Sequence, residues 1–180
     1  MNIEQELDVL YNHVLRLSQA HSSKGLECIE REYLVLMRGL VGEATAPVVV
    51  ELGMRHGIST IALLRGAIDS GGTVNSIDFD PTCELIIPPG LPFVFRGMDS
   101  IEAAGTLDIH PDFVLVDSDH TYEYTAREIA AWWPKMNSGG HMLFHDSYEA
   151  GGVWKAIEEA GLPVAQNFFT GNHFTDCVKP

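Results

Sequence analysis

The chain has 180 residues, 46% hydrophobic and 20% charged, a length that suits one domain with a sizeable core. Its 11 Lys and Arg against 25 Asp and Glu, a formal net charge of −14, argue against a nucleic-acid partner, because neutralising phosphates requires clustered cations. No apolar run approaches the roughly 20 residues of a membrane-spanning helix, and the acidic start lacks the features of a secretory signal. Three widely spaced cysteines (Cys28, Cys83 and Cys177) suggest neither a disulfide framework nor a thiolate metal site, so the cytoplasm is the expected location.

In chain order, Ile3, Leu7, Leu10, Val14 and Leu17 recur at helical spacing, and residues 21–25 break that helix. A second helix is predicted from Leu26 to about Leu40. These two helices, residues 1–45, form an N-terminal extension expected to cover an edge of the core or the mouth of its site. Residues 46–180 are expected to form the ligand-binding domain. From Val48 onward strand and helix patterns alternate, the signature of an α/β fold with a mainly parallel sheet. The predicted strands are Val48–Glu51, Thr73–Asp78, Phe93–Arg96, Phe113–Asp117 and His141–His145. The helices between and after them are Ser59–Ile68, a short one at Thr82–Ile86, Ile101–Ala104, Tyr122–Trp133 and Gly152–Glu159. Val164–Phe169 and Phe174–Val178 flank a short turn with Gly171 and read as a hairpin, so the last strand should be antiparallel. The expectation is a doubly wound, seven-stranded sheet.

The organising stretch is Val48–Thr60. A fully apolar run passes Glu51, turns through Gly53 and Gly57, and enters a helix at Ile58-Ser59-Thr60. Such a turn gathers backbone N–H groups and a positive helix terminus around one cavity, a site for a polar ligand. A dinucleotide fingerprint would place glycines where Arg55 and Ile58 stand, and a P-loop would need Gly-Lys-Ser/Thr; neither is present.

The pattern Glu51-Leu52-Gly53-x-x-x-Gly57-x-Ser59 resembles the first motif of class I S-adenosylmethionine-dependent methyltransferases, with the small catechol O-methyltransferase type closest. Later segments extend the resemblance in order: Ser76-Ile77-Asp78, Gly97-Met98-Asp99-Ser100, Asp117-Ser118-Asp119-His120-Thr121-Tyr122, and Gly139-Gly140 with His145-Asp146. The match spans about Val48 to Glu159 and implies a Rossmann-like fold. It also implies that Glu51, Gly53, Gly57 and Ser59 hold the cofactor's amino-acid end, Glu51 through the ammonium. Asp78 would accept from the ribose hydroxyls, Met98 and Asp99 would meet the adenine, and Asp117 would border the cofactor. The implied reaction is methyl transfer to a hydroxyl of a small molecule.

Ligands in open α/β sheets sit outside the carboxyl ends of the strands, where Asp117, Asp119, His120, His145 and Asp146 fall. Converging carboxylates need a cation or a proton between them, and a hard divalent ion, Mg²⁺ or a relative, is one solution. The resemblance assigns such an ion to Asp117 and Asp146. Its third ligand would be an Asn where this chain has Ser147, leaving His145 or Asp119 as a replacement. His120 stands where related enzymes carry a catalytic Lys and is the first candidate for general base, with His145 second. Trp132 and Trp133 are expected to pack in the core or an interface, while Tyr122 and Tyr124 lie nearer the site. With no long insertion to form a lid, the acceptor site should be open, roofed by the N-terminal helices, or completed by a second subunit of a homo-oligomer. Two alternatives stay open: an enzyme resembling cephalosporin hydroxylases of the same fold, and a non-catalytic module that binds S-adenosylmethionine.

Overall fold

The computed structural model of the chain describes residues 5, 7–12, 16, 29–85, 87–148, 151–169, 171 and 173–180. Ile3, Val14 and Leu17 of the first expected helix, the break at 21–25, residues 26–28 of the second helix, and Ile86 lie outside these. Residues 7–12 are helical. The remaining elements are α1 (Arg31–Glu43), β1 (Val48–Leu52), α2 (Ile58–Ser70), β2 (Thr73–Asp78), β3 (Phe93–Gly97), α3 (Ser100–Thr106), β4 (Phe113–Val116), α4 (Tyr122–Trp132), β5 (His141–His145), α5 (Gly152–Ala160), β6 (Val164–Phe168) and β7 (Phe174–Val178), with 3₁₀ turns at Pro81–Leu85 and Trp133–Lys135.

The seven strands form one sheet in the order β3-β2-β1-β4-β5-β7-β6. Pairings from β3 through β5 are parallel, and β7 lies antiparallel to both β5 and β6. The chain winds outward from β1 to β3, then returns to start β4 on the other side of β1. The switch point therefore falls between β1 and β4, where a crevice opens at the strands' carboxyl ends.

Period-2 alternation sorts the strand residues onto two cores. Val49, Phe113, Leu115 and Leu143 join Tyr33, Met37, Val41, Ile61 and Leu64 on the α1–α2 face. Val50, Val114, Val116, Met142 and Phe144 join Ala103, Ile129, Trp132, Val153 and Ile157 on the α3–α5 face. Leu7 is also buried in the first core, and Tyr33 stacks on Phe174 of β7 at 4.7 Å, so the described N-terminal residues pack directly on the sheet. Trp132 is fully buried and its Nε1–H donates to the Ser100 carbonyl at 2.9 Å, tying α4 to the start of α3. Among the described residues no helix is long and apolar enough to cross a membrane.

Most element boundaries lie within a residue or two of the sequence expectation, and three of the shifts have a clear local feature beside them. Helix α1 starts at Arg31, after Glu30 in extended backbone (φ −64°, ψ 147°). Helix α2 starts behind Gly57, whose φ of +77° is left-handed. Helix α3 starts at Ser100, one residue before the expected Ile101, because the Asp99 side chain accepts from the Ile101 and Glu102 N–H groups, an N-cap that satisfies two otherwise orphaned donors.

Candidate active site

The turn after β1 is built around Gly53. Its φ is +90°, and a Cβ there would stand 2.8 Å from the Asp117 carbonyl carbon and from Ser118 Cα. Only glycine fits both the conformation and the close approach. Asp78, at the end of β2, holds the turn from outside: its Oδ2 accepts from the Met54 and Arg55 N–H groups at 2.9 Å each, and its Oδ1 from the Asp80 N–H.

Glu51 departs from the expectation that it faces a cofactor ammonium. Its side chain is fully buried, behind the turn rather than on the cavity wall. Its oxygens accept from the hydroxyls of Ser59 (2.5 Å), Thr60 (2.7 Å) and Ser76. Burial pushes its carboxyl up to about 7, against the lowering effect of those three donors. Glu51 thus clamps β1 to β2 and to the first turn of α2. Gly57 likewise lies off the cavity wall and serves as the left-handed entry to α2.

The cavity measures about 1130 Å³, and Gly53, Ser59, Asp78, Met98, Asp99, Asp117, His120, His145 and Asp146 all line it. Sequence reasoning missed several further walls, Ile29 from ahead of α1, Phe79, Cys83, Ser100 and Ser118; of the two tyrosines expected near the site, Tyr124 lines the cavity. Asp99 uses Oδ1 as the α3 cap and accepts the Tyr124 hydroxyl on Oδ2 at 2.6 Å. The spacing of Asp99 and Glu102 is itself a helix-start signal. Behind this wall lies Glu128, fully buried, accepting from the hydroxyls of Ser100 (2.6 Å) and Ser118 (2.7 Å). Burial raises its carboxyl to about 7, with the two serines pulling the other way.

The other end of the cavity gathers charge. Asp117 Oδ1 accepts from His145 Nδ1 at 2.9 Å and from His120 Nε2 at 3.3 Å. Asp146, in the left-handed region at φ +53°, faces the same two nitrogens at 3.6 and 3.4 Å. His145 Nε2 meets Glu30 Oε2 at 3.4 Å. Burial works to raise the Asp117 carboxyl, but the hydrogen bonds and charges of His120 and His145 outweigh it and hold it low. Burial disfavours a charged His145, yet Asp117, Asp146 and Glu30 outweigh that and raise it to about 9. His120 is raised as well, chiefly by its hydrogen bond to Asp117, with burial opposing. His145 is buried and engaged at both nitrogens, so it is a poor general base; His120, with 38% of its side chain exposed, is the accessible one. Asp117, His120 and His145 bring ligand atoms within 4.8 Å of one another. Asp119 instead caps the turn before α4 by accepting from the Thr121 N–H. Ser147, where the resemblance would place an Asn, is buried and accepts from the Thr175 hydroxyl at 2.7 Å, turned toward β7.

The strand-end crevice and its walls are those of a nucleotide-type α/β enzyme. The chain belongs to a methyltransferase family: a family described as a methyltransferase domain matches residues 50–147, more than half of the chain. No curated protein matches it significantly by sequence. Among solved structures it is similar to an O-methyltransferase from Bacillus cereus in complex with SAH, at 19% identity and TM-score 0.73 over 96% of this chain and 91% of that one. It is also similar to an SAH-bound methyltransferase from Podospora anserina, at 12% identity and TM-score 0.75 over 100% and 97%. A third is the O-methyltransferase TomG from Streptomyces achromogenes, involved in tomaymycin synthesis and bound to SAM, at 16% identity and TM-score 0.74 over 95% and 90%. At these identities the likeness is one of fold, here the Rossmann-like fold with its antiparallel C-terminal strands.

Proposed function

We propose that the protein transfers a methyl group from S-adenosylmethionine to a hydroxyl of a small molecule. The observation that carries this reading is one cavity with a glycine turn and two acceptor carboxylates at one end and a histidine–carboxylate cluster at the other. The backbone at Gly53 and the Ser59 hydroxyl would receive the cofactor's amino-acid end. Among the described residues Asp78 Oδ1 accepts one N–H, that of Asp80, and keeps a lone pair for a ribose hydroxyl. Among the described residues Asp99 Oδ2 accepts only the Tyr124 hydroxyl, which leaves a lone pair for an adenine amine beside Met98. Glu51 and Gly57 shape this end from behind. The bound cofactor supplies an electrophilic methyl group on its sulfonium.

At the far end His120 is placed to take the hydroxyl proton, and the cluster holds the acceptor oxygen in line. Asp117, Asp146 and His145 would hold a divalent ion, which supplies charge to lower the hydroxyl's pKa. Two described cysteines, Cys83 and Cys177, are free and buried, which suits the reducing cytoplasm. Incubating the protein with radiolabelled S-adenosylmethionine and pooled hydroxylated metabolites, with and without EDTA, tests the reading. Labelled product is expected in at least one pool; no transfer to any pool would leave a binding module.

A further inference from the structure

Glu128 takes no part in the proposed chemistry, yet its carboxyl is fully buried and touched on one side only. Oε1 accepts from the hydroxyls of Ser100 and Ser118 at 2.6 and 2.7 Å, while Oε2 is buried and meets no partner among the described residues. Both serines line the cavity. We infer that Glu128 is a positioning residue: from behind the wall it holds the protons of Ser100 and Ser118, leaves this end of the cavity with acceptors only, and so selects a purine bearing an amine over one bearing a keto oxygen. This rests on the proposed function, in which an adenine lies against this wall; it adds the residue that sets the wall's polarity and the ligand that the wall rejects.

The protons at this wall can be counted. The Tyr124 hydroxyl, followed by the Glu102 N–H, holds Asp99 below the usual carboxylate range, so Asp99 only accepts. Tyr124 gives its one hydroxyl proton to Asp99 Oδ2 at 2.6 Å, and Ser100 and Ser118 give theirs to Glu128. Ser100 Oγ also lies 3.2 Å from the Tyr124 hydroxyl oxygen, a longer contact that carries neither proton. Asp99 Oδ2, Tyr124 Oη, Ser100 Oγ and Ser118 Oγ thus keep lone pairs and have no proton to offer a ligand. With both serine protons on Oε1, any proton on the Glu128 carboxyl sits on Oε2, so the count is the same in either charge state.

Helix α4 builds this arrangement from one stripe. Tyr124, Glu128 and Trp132 recur at helical spacing on one face of α4, and all three meet the start of α3. Tyr124 reaches Asp99, Glu128 reaches the Ser100 hydroxyl, and Trp132 Nε1–H donates to the Ser100 carbonyl. Ser118 comes to the same carboxyl from the end of β4, so Glu128 ties together the two loops that form this wall. An exocyclic amine presents N–H donors to such a wall. A keto oxygen in its place faces lone pairs and stays unpaired, which is the costly half of a hydrogen-bond exchange.

Calorimetry on the full chain, with S-adenosylhomocysteine and its deaminated analogue S-inosylhomocysteine, reads this preference directly. The wild type should favour the adenine ligand by at least about a hundredfold. Glu128→Met keeps the length of the side chain but accepts no proton, which frees both serine hydroxyls to donate into the cavity. The preference should then fall by at least about tenfold, chiefly through tighter binding of the inosine ligand. Glu128→Gln, with its amide oxygen at the place of Oε1, should keep the preference within about threefold of the wild type. Both ligands are measured on one sample, so a general loss of stability does not move the ratio. Glu128→Ala, whose space admits water, is the second variant for the case in which Glu128→Met does not fold, and it should lower the preference likewise. Equal affinity of the wild type for the two ligands, or a full preference kept by the folded Met or Ala variant, would overturn the inference and leave methyl transfer standing. No binding of S-adenosylhomocysteine to the wild type would overturn the proposed function, and the role of Glu128 with it.

Discussion

Glu51 offers a quantitative test of how the turn after β1 is built. Its carboxyl is fully buried and raised from 4.5 to about 7, mainly by burial. In the unfolded chain Glu51 ionises near its ordinary value, while the folded protein keeps the proton to near neutrality. Folding between those values takes up a proton, so the stabilisation is full below pH 4.5 and lost as pH rises to about 7. A shift of roughly 2.5 units at about 1.4 kcal/mol each corresponds to about 3 kcal/mol. Glu51→Gln removes the titration; its amide oxygen still accepts from the hydroxyls on one side, and its NH2 donates to those on the other, which can turn to accept. Urea unfolding of both proteins from about pH 4.5 to about pH 8 should show the variant gaining on the wild type by about 3 kcal/mol across the range. Carboxylates that do not interact with Glu51 cancel in that difference, and Asp117, which does, is a lesser influence than burial. Parallel pH profiles for the two proteins would mean that Glu51 is ionised in the fold, and the clamp as described would be wrong.

Single contacts carry further expectations. Gly53→Ala forces an L-residue to φ +90° against the Asp117 carbonyl and should cost at least about 3 kcal/mol in urea unfolding; a cost under about 1 kcal/mol would refute the close approach. His120→Ala should lower kcat by about a hundredfold or more while the Kd for S-adenosylhomocysteine stays within about twofold, since His120 lies at the acceptor end; unchanged kcat would remove it as the base. Tyr124→Phe takes one donor from Asp99 Oδ2 and should destabilise the protein by about 1–2 kcal/mol in the same unfolding assay.

The sheet was legible because its strands are continuous apolar runs, Val48–Val50 and Phe113–Val116 among them, separated by helical periodicity and glycine turns. The strand-end acids and histidines were legible because an open α/β sheet places them at one crevice. Partnerships at long separation were not. Glu51 meets Ser59, Thr60 and Ser76, the last 25 positions away and on another strand; nothing in Thr73–Asp78 marks Ser76 as a donor. Glu30 meets His145 across 115 positions, and the sequence offered only a charged residue inside an expected helix. Asp99 shows the opposite failure: its capping signal with Glu102 was present, and the resemblance drew attention to a ligand role first. The direction of Ser147, into β7, depends on packing that a one-dimensional pattern does not contain.

The central claim is that the Gly53–Asp78–Asp99 end of the cavity holds S-adenosylmethionine. Calorimetric titration of the wild type and of Asp78→Ala with S-adenosylhomocysteine tests it most directly. Saturable one-to-one binding to the wild type is predicted, with an affinity at least about tenfold weaker for the variant, the loss of about 1.4 kcal/mol or more. No binding to the wild type, or binding that Asp78→Ala leaves unchanged, would contradict it.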